Sequence, residues 1–172
     1  MRFTTALAAV LLLAPASPSL AQAPTDAQIA AIVVTANQVD IDAGELARER
    51  ARHAGVRSFA ESMVAAHAAV NEQATALAAK LGVTPEENAT SRALKAGGDK
   101  NVARLKTLDS DAFDRAYIDH EVAYHAQVLE ALDQTLIPSA QHPELKDLLV
   151  TVRPAFVAHL DHAKTLQEEL SR

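Results

Sequence analysis

The sequence predicts an all-α fold, a four-helix bundle with one long crossover connection carrying a short extra helix. Three observations predict it. The chain after residue 21 is rich in Ala, Leu, Glu, Gln and Lys and poor in Gly, a composition that favours helix. No segment alternates apolar and polar residues with a period of two, and no Asn-Gly hairpin signal occurs, which also removes an outer-membrane barrel. Apolar residues recur instead in steps of three and four along four long segments.

Residues 1–21 read as a cleaved signal peptide and residues 22–172 as a single domain. Arg2 gives a short positive region, and Ala6–Ala14 is an apolar run too short to span a bilayer. Ser19 and Ala21 stand at the small-residue positions of a cleavage site, with a second such site ending at Ala23. The first helix is expected from about Asp26 to Arg52, capped by Thr25 or Asp26 and ended by His53–Gly55. The second runs from about Val56 to Lys80 and stops at Gly82 and Pro85. The third begins after Asp109 and Ser110 and ends near Ile137 and Pro138. The fourth starts at Pro143, a residue suited to a first helical position, and reaches Leu170. Pro154 should kink it without ending it, because the apolar pattern continues in register beyond.

Short links join helices one and two, and three and four, so each pair should be antiparallel. Between the pairs lies the long segment from Gly82 to Asp109, expected to hold a short helix broken at Gly97 and Gly98. Two hairpins joined by one long crossover is the ferritin-like connection.

The apolar seams contain polar residues. In the second helix, Val56, Ala60, Met63, His67, Val70, Ala74, Leu77 and Leu81 form one stripe. In the stretch "AYIDHEVAYHAQVLEAL", His125 keeps Val122 and Leu129 in step. The fourth helix carries Leu145, Leu149, Val152, Phe156, His159, Ala163, Leu166 and Leu170, and the first has Asp40 among Ile29, Val33, Ala36, Ala43 and Ala47. These four residues lie near their helix midpoints, so at ~1.5 Å rise per residue they converge on one level of the bundle. Three imidazoles and a carboxylate are ordinary ligands for zinc, copper or iron, and bundle cores are where helical proteins build metal sites. Glu121, one turn before His125, could orient it or add an oxygen ligand, and Tyr124 could supply a hydrogen bond. The alternative is a buried polar layer that fixes helix register through Asp40, Asp42, Tyr124 or water. His120 is expected to pack on the flank with Phe113, Tyr117 and Tyr124. His162 either shares the metal or faces solvent, and His53 and His142 belong to helix ends.

Several classes are excluded. The chain has no Cys, so no disulfide, no lipid-anchored Cys and no thiol nucleophile. The net charge is -6, with few aromatics and no basic cluster, so there is no footprint for nucleic acid. No later segment is apolar enough to be integral to a membrane. Di-iron oxidases use paired Glu-x-x-His motifs, whereas Val64, Val122 and Phe156 stand three residues before the three histidines.

The stretches "VRSFAESMVAAHAAVNEQ", "FDRAYIDHEVAYHAQVLEAL" and "HPELKDLLVTVRPAFVAHLDHA" resemble the domain of unknown function 4142 family, over about Asp26 to Leu166. The resemblance implies an exported bacterial protein, often labelled as outer-membrane, with a ferritin-like helical bundle. It implies no activity. The family's histidines match His67, His125 and His159, its last-helix proline matches Pro154, and its helix-one acidic positions match Asp40 and Asp42. Where the family commonly has Asp-His, this chain has Ala66-His67.

The leading expectation is therefore an exported, non-catalytic protein, periplasmic or secreted, with peripheral outer-membrane association open to it. It would bind one transition metal through His67, His125 and His159, assisted by Asp40 or Glu121. A stress-associated structural or interaction protein is the second reading and a metal-dependent oxidase the third.

Overall fold

In the computed structural model, which describes residues 23–172, the elements follow as α1 (Asp26–Arg50), α2 (Ala54–Leu81), α3 (Ala89–Lys106), α4 (Ser110–Ala131), a π-helical turn (Leu132–Leu136), α5 (Ile137–Ser139) and α6 (Pro143–Leu170). No strand occurs among the described residues. The expected signal peptide lies outside them.

Helix starts are set by side chains that satisfy the free backbone N–H groups of the first turn. Thr25 and Gln28 form a reciprocal capping box on α1, and Asn88 and Ser91 do the same on α3. The starts of α2 and α6 are different. Their N-cap residues, His53 and His142, give no side-chain cap. An aspartate from the other hairpin takes that role. Asp114 of α4 accepts from Arg52 N at 3.2 Å and His53 N at 2.8 Å. Asp26 of α1 accepts from Gln141 N at 2.8 Å and His142 N at 3.0 Å. The start of α4 is thereby tied to the end of α1, and the start of α1 to the turn after α4. The two helices run antiparallel.

These caps correct one expectation. Gly55 does not terminate the first helix; α1 ends at Arg50 and Gly55 already lies in the first turn of α2. The three-residue turn closes because Asp114 binds its N–H groups. At the other end of α2, Gly82 does terminate the helix, at φ 66°, and Val83 N returns to Ala78 O at 2.9 Å.

A second correction concerns the crossover. α3 is one unbroken helix of 18 residues, through Gly97 and Gly98. Gly98 is there for close approach: a Cβ on it would sit 2.7 Å from the Val39 methyls of α1. Arg50 anchors the far end of α3, donating to the carbonyls of Leu105, Lys106 and Leu108, with its guanidinium 5.0 Å from the centre of the Phe113 ring.

α1 packs along α2 on one side and α3 on another, α4 packs along α6, and the two hairpins meet through α2–α6 and α1–α4. Two apolar clusters fill the interior. One holds Ala47, Phe59, Met63, Phe113, Ile118 and Leu166; the other holds Ile29, Ile32, Leu132, Leu149 and Phe156. On each of α1, α2, α4 and α6 the chain passes from one cluster to the other at a polar residue: Asp40, His67, Glu121 to His125, and His159. α6 runs unbroken through Pro154 and carries His159 into this layer.

Candidate metal centre

All five residues expected at the site meet between the two apolar clusters. Nitrogens of His67, His125 and His159 lie within 4.8 Å of one another, and so do ligand atoms of Asp40, Glu121 and His125. The ring of His67 is 5.6 Å from that of His125 and 5.3 Å from that of His159, and the His125 and His159 rings are 5.4 Å apart, centre to centre. Asp40, His67, Glu121 and His125 are buried; His159 is half-buried.

Hydrogen bonds fix which nitrogen each imidazole presents. Asn71 donates to Val34 O, a carbonyl that can only accept. The other face of the Asn71 amide is therefore oxygen, and it accepts from Asn37 Nδ2 at 3.0 Å. That turns Asn37 Oδ1 toward His67 Nδ1, 2.7 Å away, so Nδ1 carries the proton. His125 Nδ1 lies 3.0 Å from Glu121 O, another carbonyl, and so it too is the protonated nitrogen. Neutral His67 and His125 thus both present a bare Nε2 lone pair.

Both lone pairs face the same oxygen. His67 Nε2 is 2.9 Å and His125 Nε2 3.5 Å from Asp40 Oδ2. None of these three atoms has an aligned hydrogen-bond partner among the described residues. The same holds for both oxygens of Glu121, Tyr117 Oη and His159 Nδ1. Buried polar atoms without partners are rare in folded proteins, and a concentration of them at one point is rarer.

The local electrostatics separate the carboxylates. Burial pushes the Asp40 carboxyl up, but its interactions with His67, and then with His125 and Glu121, together outweigh burial and hold the pKa below the usual value. Glu121 is driven well above its usual value by burial and by the Asp40 charge. Burial also raises Tyr117 and lowers His125. Burial and the charges of His67 and His125 depress His159 to about 4.

The family model for a domain of unknown function (DUF4142) matches residues 12–166. The chain belongs to the DUF4142 family. No curated protein and no solved structure matches it. The resemblance drawn from the three quoted stretches is thereby shown.

Several expectations about the polar residues of this DUF4142 chain need correction. Asp42, the second acidic position, is exposed and accepts from Gln38 Nε2 at 2.7 Å, away from the layer. Two residues along a helix is about 200°, the opposite face from Asp40. Tyr124 does not bond to the imidazoles; its hydroxyl donates to Ala36 O at 2.8 Å. Of the two alternatives for His162, the structure shows the solvent-facing one: it is exposed and packs edge-on to Phe59 at 5.2 Å. His120 is partly buried and stacks on Tyr124, as its flank position implies. Sequence reasoning missed Asn37, Asn71 and Tyr117. All three carry a readable signal, each standing one turn from a seam residue: Asn37 before Asp40, Asn71 after His67, Tyr117 before Glu121.

Proposed function

We propose that this protein binds one divalent first-row transition metal ion at the centre of a ferritin-like four-helix bundle. The ligands are His67 Nε2, His125 Nε2, one Asp40 oxygen and His159, with Glu121 close enough to join. The observation that carries this is the meeting of three electron-pair donors with no proton aligned between them. Donors that converge on a point repel unless a cation stands there. Two ligands about 2.0–2.1 Å from a tetrahedral metal are about 3.3 Å apart, and the separations of 2.9 Å and 3.5 Å to Asp40 Oδ2 bracket that spacing. Asn37 and the Glu121 carbonyl supply what metal-binding imidazoles ordinarily have, an acceptor on the remote N–H. Three nitrogens and a carboxylate oxygen suit zinc, copper or iron.

A second reading keeps the same contact. A proton on His67 Nε2 would make an imidazolium–carboxylate pair with Asp40, and the layer would then serve only to fix helix register. Misalignment of the 2.9 Å contact favours the metal. Export to the periplasm or beyond belongs to this proposal, resting on Arg2, the apolar run and the Ala21 site. No helix among the described residues is long and apolar enough to cross a membrane.

Metal content by mass spectrometry on untagged protein purified without chelators tests the proposal. The control is the folded triple variant His67→Ala, His125→Ala, His159→Ala. Near-stoichiometric metal lost in the variant supports a metal protein. Metal-free protein that also takes up no zinc, copper or iron on incubation establishes the register reading.

A further inference from the structure

Beside the polar layer lies a chamber of about 30 Å³, partly open to solvent. Asp40, His67 and His125 are among its lining residues, with Val70, Val128 and Phe156 among its other walls. The π-helical turn after α4 contributes Leu132 and Leu136. Such turns insert an extra residue into a helix and are frequent at functional sites.

Size and lining restrict the occupant. The volume is about twice the ~10–15 Å³ that admits a single water. The walls beyond the three ligands are almost wholly apolar, a lining that receives apolar guests readily. Asp40 repels anions. A neutral molecule of two heavy atoms fits all three conditions.

We propose that the chamber holds a neutral diatomic gas, of the class of dioxygen and nitric oxide, as a fifth, exogenous ligand on the side of the bound metal that faces the chamber. The inference rests on the metal reading above. It concerns binding alone.

The test uses iron(II)-loaded protein titrated with nitric oxide under argon, followed by the absorption and electron spin resonance of the iron–nitrosyl. Two variants, Val70→Phe and Val128→Phe, fill the chamber from different helices. Iron content is measured on each. Wild-type protein should form the nitrosyl. Affinity should fall roughly tenfold or more in the filled variants, the equivalent of about 1.4 kcal/mol. Xenon, followed by its own magnetic resonance, probes the chamber of the metal-free protein and should bind wild type but neither filled variant. Protein that takes up no iron overturns the metal reading, and this inference with it. Iron-loaded protein that forms no nitrosyl, or forms it equally well with the chamber filled, overturns this inference alone. So does metal-free protein that binds no xenon.

Discussion

Replacing Asp40 by Asn should stabilise the metal-free protein while removing much of its response to metal. The two side chains have the same shape, so packing is unchanged. In the metal-free wild type, with the proton of each imidazole on Nδ1, Asp40 Oδ2 faces the bare lone pairs of His67 at 2.9 Å and His125 at 3.5 Å. An Asn amide turned toward them donates an N–H to one of these nitrogens. A buried group left without a partner costs about 1–3 kcal/mol, and a new neutral hydrogen bond contributes about 1 kcal/mol. Taking about 2 kcal/mol for the exchange, and about 2–4 °C per kcal/mol for a domain of this size, Tm should rise by about 4–8 °C. Metal acts the other way. At a metal concentration about 100 times Kd, wild type gains about 2.7 kcal/mol. If loss of the anionic ligand weakens binding about tenfold, the same metal gives the variant only about 1.4 kcal/mol. The assay is thermal unfolding by circular dichroism of both proteins at pH 8, with EDTA and with excess zinc. A metal-free variant that melts at or below the wild type would refute the lone-pair argument. An unchanged response to zinc in both proteins would refute the site.

Further outcomes follow from the structure. Asn37→Leu removes the acceptor that fixes the His67 tautomer, and metal affinity by chelator competition should fall by roughly 10–100-fold, with helix content unchanged. Asp114→Ala strips two backbone N–H groups of a buried cap and should cost about 3 kcal/mol in urea unfolding, more than Asp26→Ala, whose equivalent cap is exposed. In the same assay Gly98→Ala should destabilise by about 1–3 kcal/mol because its Cβ meets Val39. Gly97→Ala, with open space around it, should instead stabilise by about 0.5–1 kcal/mol. The depressed His159 pKa fixes a pH dependence. Its folded value of about 4 lies below the ordinary 6.5, so the unfolded chain takes the proton first. The stability tied to neutral His159 is whole above about pH 6.5 and is lost as pH falls toward about 4. Melts of metal-free protein should decline across that window and decline less in His159→Gln.

The helices were legible because their signals are local. Capping residues, the Gly82 stop and the steps of three and four each act within a few residues, and α1, α2 and α6 begin and end within about two residues of their expected bounds. The layer of Asp40, His67, His125 and His159 was legible because midpoints of antiparallel helices coincide. What failed was non-local. Gly55 and Gly98 read as breakers in isolation, yet one sits in a helix whose start is capped by Asp114, 59 positions away, and the other is a contact surface for Val39. The tautomer chain was invisible for a different reason. Each link from Val34 O through Asn71 and Asn37 to His67 crosses between α1 and α2, and only the register of that pair decides whether the amides meet. Asp40 and Asp42 could not be ranked by residue type; the helical turn separates them.

The position of the layer argues for a purpose beyond register. A charged or polar group in a bundle core is generally less stabilising than a well-packed apolar one of similar size. One such residue suffices to set register, as single buried Asn residues do in coiled coils. Here four helices each contribute, and they do so at the one level where the two apolar clusters divide. Register also asks that the polar groups satisfy one another, and these do not. The remote sides of His67 and His125 are fully bonded while the sides that face the centre are bare. A structural polar network would be satisfied in both directions. Satisfaction outside with open lone pairs inside is what the proposed ligand set would require, and what a register layer would not.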